Sequence, residues 1–145
     1  MAEIKISDLS IGDWVYQKMD DGAYQVQWVE REMVGLIKHT GTEEDGSIRL
    51  TAVPLSFIEP IPLTPEILEK NGFTRWERGS NKGDYYLDIP RTKRVWLYYD
   101  FGVYKMAYIR NTRGCETFFK CRDIASVHQL QHALRLAGVE KEIEL

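Results

Sequence analysis

The chain has 145 residues, 43% hydrophobic and 28% charged, with a formal net charge of −3. These proportions match a soluble globular protein of one domain or two small subdomains, and they exclude a disordered chain. Met1-Ala2-Glu3-Ile4-Lys5-Ile6 lacks the apolar core of a signal peptide, and no later run approaches the roughly 20 apolar residues of a membrane span. The expected location is therefore the cytoplasm, with no membrane partner.

In chain order, Gly12-Asp13 marks a turn leading into a strand at Trp14-Val15-Tyr16, and Asp20-Asp21-Gly22 is a hairpin signal. The run from Tyr24 to Val29 alternates Tyr24, Val26 and Trp28 against Gln25 and Gln27, and Met33 to Ile37 gives a third strand. After an acidic loop at Thr42-Glu43-Glu44-Asp45-Gly46, a fourth strand covers Ile48 to Val53. Leu55 to Ile58 closes the set as a fifth. Five short strands joined by tight turns predict a small barrel-like sheet over residues 1–59, Src-homology-3-like in outline.

Residues 60–73 form a proline hinge. Pro60 and Pro62 remove backbone donors, so the segment cannot be a central strand. Thr64 caps a short helix, Pro65 suits its first position, Gly72 suits the left-handed residue after its last turn, and Phe73 folds back against it.

Residues 74–145 are predicted to form an antiparallel sheet carrying one helix. Tyr85 to Ile89 is a strand stopped by Pro90. Arg94 to Tyr99 is another, with Val95, Leu97 and Tyr99 on one face and Trp96 and Tyr98 on the other. Asp100-Phe101-Gly102 turns the chain into Val103 to Ile109, and Asn111-Thr112-Arg113-Gly114 turns it again into Cys115 to Cys121. Ser126 with Gln129 is a capping box, and Gly138 marks the exit of the last helix. Val127, Leu130, Ala133, Leu134 and Ala137 share its apolar stripe, while His128, His132 and Arg135 point the other way. The fold class expected is thus α+β.

The chemistry-bearing motifs are few. His128 and His132 stand four apart on a helix, the spacing of a zinc-peptidase pair, but the position that must hold a proton-accepting carboxylate is Gln129. The pair therefore reads as exposed helix residues, with no metal and no catalytic residue assigned. Cys115 and Cys121, six apart in one strand, stand about 20 Å apart and read as reduced thiols. Asp100-Phe101-Gly102 matches a kinase motif in letters only, and no phosphate-loop or other cofactor motif occurs, so no cofactor is expected.

Charge is distributed unevenly. Residues 1–73 hold 6 Lys/Arg against 13 Asp/Glu, whereas residues 74–122 hold 11 against 5 and carry 11 of the 17 aromatics. Arg91, Lys93, Arg94, Trp96, Tyr98, Lys105 and Arg110 are the candidate ligand-binding residues in this basic aromatic stretch. Aromatics interleaved with cations stack bases and pair phosphates. The same composition also suits a core layer backed by a charged layer, or a protein-binding face. The partners expected are an anionic small molecule or nucleic acid, with a host protein as the alternative. Self-association is left open.

Three stretches carry a resemblance: Leu9 to Val15, Ile58 to Phe73, and Val127 to Gly138. Together they resemble a family of small uncharacterised accessory proteins of phages and mobile elements of gut anaerobes. The family pattern carries glutamate where this chain has Gln129 and cysteine where it has Ala137. The resemblance implies a non-enzymatic binder that blocks or sequesters a host defence component, including nucleotide signals.

Overall fold

The computed structural model describes residues 4–39, 48–77, 83–90, 93–112 and 115–145, with backbone alone at 39, 48, 93, 108–112 and 115–122. It is a sheet-rich α+β chain that divides into two compact units, Met1–Ile61 and Pro62–Leu145.

The first unit is one antiparallel sheet of β1 (Trp14–Gln17), β2 (Gly22–Glu30), β3 (Met33–His39), β4 (Ile48–Pro54) and β5 (Ile58–Pro60), in the order β4-β3-β2-β1-β5. Period-two alternation sends Val15, Tyr24, Val26, Val34, Leu36 and Val53 to one face, where Ile4, Leu9 and Ile58 complete the core. Asp21, at φ 47, supplies the left-handed residue of the first hairpin. Pro60 is tolerated because β5 is an edge strand, whose free side needs no donor.

Among the described residues the unit is seen as five strands in this order, with no ladder joining β4 to β5. Two features of this unit differ from the sequence reading. Leu55–Phe57 is a 3-10 turn, not the start of a strand. The prolyl nitrogen of Pro54 has no hydrogen to extend the β4 ladder, and the turn redirects the chain from β4 to the far edge beside β1. The Tyr24-Val26-Trp28 alternation also breaks. A bulge between Val26 and Trp28 shifts the register, and Trp28 lies 43% exposed, directly across from Gly35.

The second unit is a meander in the order β10-β9-β8-β7-β6, made of β6 (Thr74–Arg75), β7 (Tyr85–Ile89), β8 (Lys93–Asp100), β9 (Val103–Thr112) and β10 (Cys115–Ile124). The two-residue β6, which the sequence reading does not include among the strands, pairs Thr74 with Tyr86 and Arg75 with Tyr85. Cys115 and Cys121 sit in one continuous ladder against β9. The expected turn residues Arg113 and Gly114 lie outside the described residues, as do Arg91 and the acidic loop at 42–46.

Two helices complete this unit, α1 (Pro65–Lys70) and α2 (Val127–Leu136). Thr64 Oγ1 accepts from Ile67 N at 3.3 Å, satisfying one orphan donor of α1. At its other end Gly72 has φ 85, and Phe73 N donates to Leu68 O at 3.0 Å while Gly72 N donates to Glu69 O at 3.1 Å. That pair of bonds is a Schellman motif, and it folds Phe73 back to 3% exposure. Buried Asn71 then ties down the last residues: its Oδ1 accepts from Glu144 N at 2.8 Å and its Nδ2 donates to Glu144 O at 2.7 Å.

Helix α2 contacts β10 through its apolar stripe, with Val127, Leu130, Ala133 and Leu134 buried. Ser126 and Gln129 form the reciprocal capping box. The side chain of His128, expected to be exposed, is only 4% exposed. Its Nδ1 lies 3.0 Å from Ser126 Oγ, so that ring nitrogen keeps a partner while out of water.

Candidate ligand-binding face

The pleat decides which residues of the meander share a surface. Val95, Leu97, Tyr85, Leu87, Tyr104 and Met106 are buried on one face. Arg94, Trp96 and Tyr98 alternate onto the other, together with Tyr86, Asp88 and Lys105 from the neighbouring strands. Trp76 joins them because its N–H continues the β6–β7 ladder to Asp84 O at 2.8 Å. Of the two layouts the sequence allows for β8, the structure has Trp96 and Tyr98 outward.

Four rings form a continuous cluster. Trp76 stands edge-on to Tyr86 at 6.1 Å and to Trp96 at 5.2 Å, and Tyr86 is tilted against Trp96 at 5.3 Å. Trp96 and Tyr98 are nearly parallel, 18° apart at 6.1 Å, and Tyr98 is 39% exposed. Trp96 has room to lie over the sheet because its partner on β9 is Ala107. The sequence names Trp96 and Tyr98 as site residues but not Trp76, Tyr86 or Asp88. The missed signal is the register across Pro90, which sets Tyr86 against Trp96 and Asp88 against Arg94.

Arg94 lies across this cluster, its guanidinium carbon 4.6 Å from the Tyr86 centroid and 5.4 Å from that of Trp96. Asp88 holds it in place, accepting from Arg94 Nε at 2.5 Å and from Nη2 at 3.0 Å. The same hydrogen bonds raise the pKa of Arg94. The bidentate pair uses Nε and Nη2 and leaves Nη1 outside the ion pair.

Lys105 is likewise paired, with Asp100 Oδ2 at 2.5 Å. Two of the cations expected to face an anion thus carry their own counterions. Lys93 and Arg110 are cross-strand partners in the β8–β9 ladder, which places their backbones side by side. Their side chains, and all of Arg91, lie outside the described residues. Burial raises the Tyr98 phenol pKa, so that ring stays neutral at physiological pH and is a hydrogen-bonding stacking surface, not an anion.

The rings of His128 and His132 meet edge to face at 5.9 Å, and His128 Nδ1 faces the Ser126 hydroxyl. Among the described residues no three His, Cys, Asp or Glu side chains are grouped to hold an ion.

No family model, curated protein or solved structure matches this chain. The geometry of the sheet carries the functional reading alone.

Proposed function

We propose that this chain is a non-catalytic binding protein that engages a ring-bearing anion, a nucleotide or single-stranded nucleic acid, on the open face of its C-terminal sheet. The observation that carries the reading is the near-parallel, outward pair Trp96–Tyr98, flanked by Trp76 and Tyr86, with Arg94 over the Tyr86 and Trp96 rings. A base stacks on such a ring for about 1–3 kcal/mol, and a phosphate has the Nη1 end of Arg94 within the same surface. The resemblance to accessory proteins of mobile elements extends the proposal: the ligand is a host nucleotide signal or nucleic acid, met in the cytoplasm. The first unit, with its barrel-like five-strand order, serves in this reading as a second module without assigned chemistry.

A second reading has its own observation. Asp88 and Asp100 neutralise the two best-placed cations, and Phe101 at the tip of the β8–β9 hairpin is 99% exposed. Those features suit a protein-binding inhibitor or adaptor, whose hot spots are aromatic and whose salt dependence is small.

A salt titration separates the two. Binding of a fluorescent oligothymidylate, followed by anisotropy, should weaken steeply from low to moderate salt if phosphates are paired. Absence of oligonucleotide and mononucleotide binding at low salt, with a protein copurifying from the native host and held at high salt, establishes the adaptor reading.

A further inference from the structure

The opposite face of the same sheet has a cleft of its own. At the end of β7, β8 and β9 nearest the Asp100–Val103 hairpin, a cleft of about 370 Å³ opens beside Leu63, Pro65 and Ala125. Three tyrosines wall it: Tyr104 meets Tyr99 at 5.3 Å and Tyr85 at 6.5 Å, both edge-on. Extended residues 62–64 are fixed there by Leu63 N donating to Ala125 O at 3.0 Å, so this wall is built into the fold.

Two polar groups in this cleft have no partner among the described residues. Tyr104 is only 5% exposed, yet its hydroxyl enters no hydrogen bond among the described residues. No sealed side-chain polar atom among the described residues lacks a partner, so that hydroxyl opens onto the cleft it lines. Arg75, on β6, is the one charged side chain among the described lining residues, and it enters no ion pair with a described residue, unlike Arg94 and Lys105. Two neighbouring carboxylates are already engaged and do not line the cleft. Glu69 accepts from the Tyr85 hydroxyl at 3.4 Å, and Asp84 Oδ1 accepts from Tyr99 N at 2.9 Å.

We propose that this cleft binds a small planar anion, a single aromatic ring bearing one carboxylate or phosphate. The ring sits among Tyr85, Tyr99 and Tyr104, and the anion is held by Arg75 and the Tyr104 hydroxyl. The volume lies at the lower end of ligand pockets, roughly 300–1,000 Å³, which suits one ring and excludes an oligonucleotide. The site stands apart from the open-face reading, because the two use opposite faces of the sheet.

The test follows the aromatic ¹H–¹³C resonances of the full chain with benzoate, phenyl phosphate or inorganic phosphate added to millimolar levels. Such concentrations match what so small a ligand can reach. Saturable shifts of Tyr99 and Tyr104 with benzoate or phenyl phosphate, and none with phosphate alone, are expected. Whichever ring compound binds tighter identifies the anion. Arg75→Gln should weaken binding about tenfold or more, the loss of one charge-assisted contact. Ala125→Phe should fill the cleft and abolish the shifts with the melting temperature kept, and Trp96→Ala should leave them unchanged. No saturable shift with either ring compound, or shifts that survive both Arg75→Gln and Ala125→Phe, would overturn the proposal.

Discussion

At the scale of single residues, two positions show side chain and backbone set against one another. A methyl group built on Gly35 would fall inside the Trp28 indole, so the ring lies directly on the glycine of the neighbouring strand. Gly35→Ala must displace either ring or strand and is expected to cost about 1–3 kcal/mol. Trp28→Ala in the same chain should recover much of that loss, which a double-mutant cycle of urea melts measures. Phe101 is the opposite case. It holds φ 47 with Gly102 at φ 86, the backbone of a type I′ turn, where asparagine–glycine is preferred and a bulky side chain is strained. Its ring gains nothing from packing, being 99% exposed. Phe101→Asn should therefore raise stability by roughly 0.5–1 kcal/mol; a lower melting temperature would contradict this. A strained, fully exposed phenylalanine is what a contact residue looks like, so the same variant should weaken binding to any protein partner.

At the scale of elements, legibility followed how local the cause was. Both helix ends of α1, the exit of α2 at Gly138 and its capping box depend on contacts within a few residues, and all are readable from the residues at those positions. Strand β7 is legible for the same reason, since Pro90 stops it. The misses have non-local causes. The bulge after Val26 is set by pairing with β3, β6 exists only because β7 lies beside it, and His128 is buried by the tertiary setting of α2. The candidate face was half legible: alternation along β8 separates Trp96 from Val95, but Asp88 against Arg94 requires the register across strands. The α2 cap gives a test at this scale. Ser126→Ala removes the cap and the His128 Nδ1 partner together and should cost about 1–2 kcal/mol by thermal melting. Gln129→Glu keeps the box, adds negative charge at the helix N-terminus and should be neutral or slightly stabilising.

At the scale of the whole molecule, buried phenols tie folding to alkaline pH. Burial pushes the Tyr104 pKa up to about 12 and also raises those of Tyr24 and Tyr85. A group whose folded pKa exceeds its unfolded value, near 10 for tyrosine, stabilises the fold fully below that value and loses its contribution as pH rises through the folded pKa. Stability should therefore be flat to about pH 10 and fall toward about 12, with phenolate absorbance of the buried tyrosines appearing only as the chain unfolds. Charge sets the other whole-molecule expectation. In the proposed reading, the excess of cations in residues 74–122 against acids in residues 1–73 favours approach of an anion to the C-terminal part, where the open aromatic face lies. The most direct measurement is Trp96→Ala in two parallel assays, oligothymidylate binding at low salt and the melting temperature. The account predicts that binding weakens by roughly 1–3 kcal/mol while the part-buried ring costs less stability than the 3–5 kcal/mol of a core aromatic. Unchanged binding, or loss of the fold at the scale of a core residue, would contradict it.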